Sequence, residues 1–189
     1  MGIDRGRRRA VFLDRDGVIT RAVIRDGKPY PPAAIDEVQV LAGVPEALQR
    51  LKTAGYLLVI VTNQPDVARG TQSRAVVESI HARLASELPI DEIRCCYHDD
   101  ADGCECRKPK PGLLRDAARS HRVDLRASVM VGDRWRDVEA GRQAGCVTVF
   151  IDHAYSERRP DRPDAVVRSL AEATDWILAR GSDALHETC

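Results

Sequence analysis

A doubly wound α/β domain, three layers deep around a mostly parallel sheet, is the fold class this sequence predicts. Three observations predict it. Apolar runs of strand length alternate with helix-periodic segments along the whole chain. The runs are rich in β-branched and aliphatic residues, which suits buried strands. Polar, chemically useful residues (Asp14 and Asp16, Thr62 and Asn63, Asp133 and Asp137) gather at or just past three of the run ends. Open parallel sheets bind ligands outside the carboxyl ends of their strands, so this is where a site belongs.

In order, "RAVFLD" (9–14) is the first predicted strand, and "TRAVIRDGKPYPPAA" (20–34) is an extended loop or short hairpin. Val44–Ala54 follows as a helix, because Val44, Ala47, Leu48 and Leu51 recur on one helical face, and Gly55 stands where a C-cap belongs. Further strands are expected at "LLVIVT" (57–62), "EIRCCY" (92–97), "SVMVGD" (128–133) and "VTVFI" (147–151), with a weaker one at "DAVV" (164–167). Helices are expected at Arg74–Glu87, Gly112–His121, Arg136–Ala144 and Leu170–Arg180. The expectation is one domain over residues 9–181, with tails at 1–8 and 182–189.

Composition narrows the function. The 189 residues carry 29 basic and 29 acidic side chains, so no global field favours nucleic acid or an anionic membrane. The longest apolar run, "YLLVIV" (56–61), is strand-sized, and "MGIDRGRRRA" lacks the apolar core of a secretory signal. A cytoplasmic enzyme acting on a small molecule is the expectation, and nothing demands more than a monomer. A reducing compartment disfavours disulfides for the six cysteines. Cys146, after "AG", reads as a small core residue and Cys189 as part of the tail. "CCYHDDADGCEC" (95–106) is not the C-x-x-C of a redox pair, so a metal suits it better.

"FLDRDGV" (12–18) places Asp14 and Asp16 on one face directly after a strand, where uncompensated carboxylates would repel. A divalent cation with a preference for hard oxygen ligands, such as Mg²⁺, resolves this, and Gly17 permits the tight turn that follows. "VGDRWRDVEAG" (131–141) brings a second acidic pair to another strand end. One such pair alone reads as a turn and helix cap. Two on one sheet point to chemistry.

"FLDRDGV", "VTNQ", "CRKPKPG" and "VGDRWRDVEAG" occur in the order and approximate spacing of the four motifs of the haloacid dehalogenase-like (HAD) phosphatases, which this chain resembles over about residues 9–152. The "DRDG" form, "TNQ" and "C-x-H…C-x-C-R-K-P" resemble the branch that holds heptose-bisphosphate and histidinol-phosphate phosphatases. The resemblance implies a capless HAD-like fold with a zinc-binding loop. It implies Asp14 as nucleophile and Asp16 as general acid and base. Mg²⁺ would be held by Asp14, Asp16 through its backbone carbonyl, and Asp133. Thr62 and Lys108 would bind the transferring phosphoryl group. Asn63 orders that loop or the substrate, and Asp137 is either a partner of Lys108 and the metal or a helix residue. Lys110 is a rival for the phosphate-binding lysine, but the family's "RKP" favours Lys108.

A capless pocket suits a substrate larger than a bare phosphate ester, with Arg107, Arg134 and Lys110 as cations for a second, distal anion. Arg136 reads as a solvated surface residue. Pro65-Asp66 stands where the family has a small Ser-Gly step. The family's C-x-H pattern selects Cys96, with His98, Cys104 and Cys106, as a closed tetrahedral Zn²⁺ set of structural type. Strand alternation then turns Cys95 to the other face, as a small core residue. The expected substrate is a sugar bisphosphate, the 7-phosphate of heptose 1,7-bisphosphate being the bond cleaved. The short interval from His98 to Cys104 is similar to the histidinol-phosphate type. A non-catalytic zinc-loop binding module is the alternative of another class, against which the complete acid and lysine set argues.

Overall fold

The structure, a computed structural model, describes residues 8–186, with side chains described as far as Arg180. Six strands form one parallel sheet: β1 (Ala10–Leu13), β4 (Leu57–Asn63), β5 (Glu92–Cys96), β6 (Val129–Gly132), β7 (Val147–Ile151) and β8 (Ala165–Val167). Their order is β5-β4-β1-β6-β7-β8, so β1 is flanked by β4 on one side and β6 on the other. The chain runs outward from β1 to β5, returns to β6, and runs outward the other way. That reversal opens a crevice at the carboxyl ends of β1, β4 and β6. Two short strands, β2 (Val23–Arg25) and β3 (Lys28–Tyr30), form a separate hairpin, the shorter of the two expectations for that segment. Asp26 and Gly27 both take positive φ there, as a two-residue hairpin turn requires.

Side-chain alternation in β1 divides the interior. Val11 and Leu13 face a core shared with α1 (Val44–Thr53), α2 (Arg74–Glu87) and α5 (Leu170–His186). Ala10 and Phe12 face a second core shared with α3 (Gly112–His121) and α4 (Trp135–Ala144). Leu48, Leu51, Ile80, Leu84 and Leu114 are fully enclosed, each contributing roughly 2 kcal/mol by leaving water. At the end of α1 the Gly55 N–H donates to the Lys52 carbonyl (2.9 Å) and the Tyr56 N–H to the Leu51 carbonyl (3.1 Å), the glycine stop the sequence predicts. Cys146 is buried in the second core, as expected.

The differences from expectation are local. Arg8 is tied to the turn after α3: its N–H donates to the Arg122 carbonyl and its carbonyl accepts from the Asp124 N–H, an isolated bridge outside the sheet. Helix α4 starts one residue early, at Trp135, because the Asp137 carboxylate accepts the Arg134 N–H (3.0 Å) and caps the first turn. Helix α5 continues past Arg180 to His186, since a lone glycine such as Gly181 costs a helix only about 1 kcal/mol. Residues 1–7 and 187–189, including Cys189, lie outside the described residues. Among the described residues no helix is long and apolar enough to cross a membrane.

Candidate active site

Three strand ends converge on one ammonium. Asp14 follows β1, and its N–H donates to the Val131 carbonyl, carrying the ladder one step past the strand (3.0 Å). Asp133 follows β6, and Asp137 lies in the first turn of α4. Lys108 reaches in from the loop before α3. Its Nζ lies 2.7 Å from Asp14 Oδ1, 2.6 Å from Asp137 Oδ1 and 2.7 Å from the Val61 carbonyl. All four charged groups are buried. Burial alone would depress the lysine, yet Asp137 and Asp14 hold its pKa above the ordinary value. Burial, only partly offset by Lys108, raises Asp14 to about 6, with Asp137 and Asp16 adding to the rise.

One cation facing three acids leaves a deficit, and it falls on Asp133. Neither of its buried carboxylate oxygens has a partner in full hydrogen-bond geometry, and the Tyr155 hydroxyl is the one neighbouring donor that favours its charged form. Burial, then repulsion from Asp14 and Asp137, pushes its pKa well above the carboxylate range. One oxygen each from Asp14, Asp133 and Asp137 lies within 4.8 Å of the others. Hard oxygens in this arrangement fit a divalent cation of the Mg²⁺ type. Gly17 serves two purposes here. Its φ is +92°, and a Cβ on it would sit 1.8 Å from Asp133 Oδ2, so only glycine both turns the chain and leaves room for that carboxylate.

The Asp16 carboxylate does not join the acid cluster. It is committed to Arg15 (2.8 Å from the terminal nitrogen), Thr20 (3.1 Å) and Gln64 (2.9 Å). Arg15 is wholly buried, and its other terminal nitrogen donates to His81 Nε2 at 3.0 Å. Burial, then the Arg15 charge, lowers His81 to about 4, so the imidazole is neutral and can accept. Sequence reading assigned no role to Arg15, Gln64 or His81. Two of the three had a signal. Arg15 adjoins Asp16 directly, and a cation next to an acid after a buried strand signals an ion pair, which the two form at 2.8 Å. Gln64 stands two residues after Thr62 and therefore shares its face. Indeed Gln64 Nε2 also donates to the Thr62 hydroxyl (3.0 Å).

Around this centre opens a cleft of about 250 Å³. Asp14, Asp16, Thr62, Asn63, Arg107, Lys108 and Arg134 all line it, and the β2–β3 hairpin covers one side with Lys28 and Tyr30. Asn63 clasps the Lys108 backbone in both directions, Nδ2 to its carbonyl (2.9 Å) and Oδ1 from its N–H (3.1 Å). This is the loop-ordering alternative. Arg107 is held by Asp100 (2.9 Å) and Arg134 by both oxygens of Glu157. Two expectations need correction. Lys110 does not line the cleft: its ammonium turns back to the Gly103 carbonyl (2.8 Å) and Glu105 (2.9 Å), bracing the cysteine loop. Arg136, read as a solvated surface residue, lines the cleft and reaches Asp100 at 3.2 Å. A helix start displays its first side chains forward, which one-dimensional spacing does not show. Pro65 and Asp66 form part of the rim.

Beside the cleft, Cys96 Sγ lies 3.7 Å from Cys104 Sγ, 3.2 Å from Cys106 Sγ and 3.6 Å from His98 Nδ1, with Cys106 3.4 Å from Cys104 and 3.2 Å from His98. None of these is a disulfide. A tetrahedral zinc with bonds of about 2.3 Å gives sulfur edges of about 3.8 Å, so the donor set fits that ion. Cys95 points to the opposite face, but it is half-buried near Arg15 and Glu78 rather than in either core, and burial pushes its thiol up to about 12. Arg107 also donates to the His98 carbonyl, which ties the cation to the cysteine loop (3.3 Å). The loop meets α3 at Gly112, where a Cβ would lie 2.2 Å from the Glu105 carbonyl oxygen. Gly112→Ala should therefore destabilise the protein by about 2 kcal/mol or more, measured by urea unfolding. A change below about 0.5 kcal/mol would show that the loop yields freely.

With this geometry in hand, likeness to known proteins is informative. The HAD-hydrolase-like family matches residues 105–173. The D-glycero-β-D-manno-heptose-1,7-bisphosphate 7-phosphatase of Photorhabdus laumondii is 42% identical, over 86% of this chain and 92% of its own. The enzyme of the same name from Pseudomonas aeruginosa is 37% identical over 82% and 88%. The crystal structure of the D,D-heptose 1,7-bisphosphate phosphatase of B. bronchiseptica, complexed with magnesium and phosphate, superposes with a TM-score of 0.74 at 33% identity, over 91% of this chain and 99% of that one. The buried acid–lysine centre at the strand ends of a capless sheet thus comes with close sequence relatives, and the chain belongs to the haloacid dehalogenase-like phosphatases, alongside the heptose bisphosphate phosphatases.

Proposed function

We propose that this protein is a Mg²⁺-dependent phosphomonoesterase that removes the 7-phosphate of D-glycero-D-manno-heptose 1,7-bisphosphate. The observation that carries the reading is the buried charge deficit at Asp133, two oxygens without a hydrogen-bond partner beside Asp14, at the floor of the acid–lysine centre. Asp14, Asp133 and the Asp16 carbonyl would hold the cation, and Asp137 stays with Lys108. When bound, it supplies positive charge that lets an anionic nucleophile approach an anionic phosphate. The names of the relatives support the substrate.

The chain's own groups account for the rest of the reaction. The Asp14 carboxylate, held at Oδ1 by Lys108, attacks phosphorus in line. The bond from phosphorus to the C7 oxygen breaks, and Asp16 delivers a proton to the departing alkoxide. Arg15, Thr20 and Gln64 fix the Asp16 carboxylate in place for that transfer. Asp16 then takes a proton from water, which attacks the aspartyl-phosphate and releases inorganic phosphate and free Asp14. The Thr62 hydroxyl offers a donor to the phosphoryl oxygens, and Lys108, whose three donors rest on Asp14, Asp137 and the Val61 carbonyl, turns its Asp14 contact to the phosphoryl group as Asp14 is phosphorylated. Cys96, His98, Cys104 and Cys106 would hold a zinc with all four positions filled by protein, so its part would be structural, steadying the loop that carries Arg107.

The test is phosphate release from heptose 1,7-bisphosphate with and without Mg²⁺. The expected product is heptose 1-phosphate, formed only with the metal. Release from C1, or release undiminished by chelation of Mg²⁺, would overturn the reading.

A further inference from the structure

The cations around the cleft are almost all occupied by acids. Arg107 and Arg136 share the Asp100 carboxylate, Arg134 is gripped by Glu157, Arg69 by Asp66 and Asp99, and Lys108 by Asp14 and Asp137. Among the described residues lining the cleft, Lys28 is the one cation with no ion pair. An exposed lysine on a hairpin is ordinarily a solvated one. Two features set this one apart: it faces the cleft, and the turn beside it is anchored.

The anchor is a chain of contacts leading back to the nucleophile loop. The Ser156 N–H donates to the Gly27 carbonyl at 2.8 Å. Gly27 has a φ of +71°, and a Cβ on it would lie 2.5 Å from Ser156 Oγ, so glycine is what lets the two backbones close on each other. Three residues before Ser156, His153 Nε2 donates to the Gly17 carbonyl at 2.8 Å. One residue after it, Glu157 holds Arg134. The hairpin is thereby fixed to the loop that carries Asp14 and Asp16, although it belongs to neither the sheet nor its cores.

We propose that Lys28 is a specificity-determining residue, binding a phosphate-class anion at the end of the substrate distal to Asp14, with the Gly27–Ser156 latch setting its place. The inference rests on the bisphosphatase reading and adds to it a recognition group that its arginines do not supply. A guanidinium already shared with a carboxylate has part of its charge offset and part of its donor set used. An ammonium on a flexible four-carbon stem retains both, and can follow the anion as the substrate settles. A contact of this kind forms equally in ground and transition states, so it lowers KM and leaves kcat alone.

The experiment compares heptose 1,7-bisphosphate with heptose 7-phosphate, which lacks the distal group, for wild type, Lys28→Gln, Lys28→Arg and Gly27→Ala. In Lys28→Gln the ratio of kcat/KM for the bisphosphate to that for the 7-phosphate should fall about tenfold, through KM. Lys28→Arg should recover most of the ratio, and Gly27→Ala should lose part of it with Lys28 still present. A general structural role would lower both substrates together and leave the ratio unmoved. A wild-type preference for the bisphosphate that survives Lys28→Gln overturns the assignment of Lys28 alone. Equal kcat/KM for the two substrates in wild type overturns the bisphosphatase reading and this assignment with it.

Discussion

Replacing Asp14 by asparagine should lower kcat by roughly 10⁴-fold or more and leave the protein folded, with a melting temperature equal to or above that of wild type in Mg²⁺-free buffer. The two halves of this expectation come from one arrangement. The carboxylate is the atom set that attacks phosphorus, and an amide at the same place is far too weak a nucleophile. Yet the same carboxylate is buried beside Asp133 and Asp137, with only Lys108 to balance them. Burial and these neighbours raise its folded pKa to about 6, above its unfolded value, so its ionisation opposes folding once pH exceeds the unfolded value. A neutral side chain of equal size relieves that penalty. The checks are steady-state kinetics and thermal unfolding on the same preparation. An active, well-folded Asn variant would remove Asp14 from the chemistry altogether.

Loss of zinc should act on stability first and on turnover later. Elemental analysis is expected to find about one tightly held zinc per chain, and either a strong chelator or Cys106→Ser should cost on the order of 3 kcal/mol or more in unfolding free energy. The loop has little regular structure, and its other ties, from Arg69 and Lys110, run through exposed side chains. Residues 97–106 contain one short 3-10 turn, Asp100–Asp102, and Cys96 supplies its one fully buried thiol. Turnover should hold at temperatures well below the new midpoint, because Lys108 is fixed independently by Asn63, Asp14 and Asp137. Cys95→Ser serves as the control, since Cys95 faces away from the cluster, and it should retain the metal. Protein free of zinc yet equally stable would show that the four ligands hold nothing.

Much of this site was legible in the sequence, for a physical reason. Parallel strands buried by helices on both sides must be continuous apolar runs, so their ends are marked by the first polar residue. Asp14, Thr62 and Asp133 stand at such boundaries, and the resemblance to the HAD phosphatase motifs is what assigned them roles. The cysteine cluster was legible because four soft ligands within eleven residues have few other uses. What escaped were partnerships across the fold. Arg15 meets His81, Gly27 meets Ser156, and Arg136 shares Asp100 with Arg107, all at separations that no local spacing encodes. Lys110 shows the opposite error. It sits two residues from the phosphate-facing lysine, but a helix start at Gly112 and the close Glu105 backbone turn it back on its own loop.

The central claim is that this acid–lysine centre, in an open cleft, serves a sugar bisphosphate. Its most direct test is a side-by-side measurement of kcat/KM for D-glycero-D-manno-heptose 1,7-bisphosphate and histidinol phosphate, in Mg²⁺, on one preparation. A preference for the bisphosphate of about hundredfold or more is the predicted result. An equal or higher value for histidinol phosphate would contradict it.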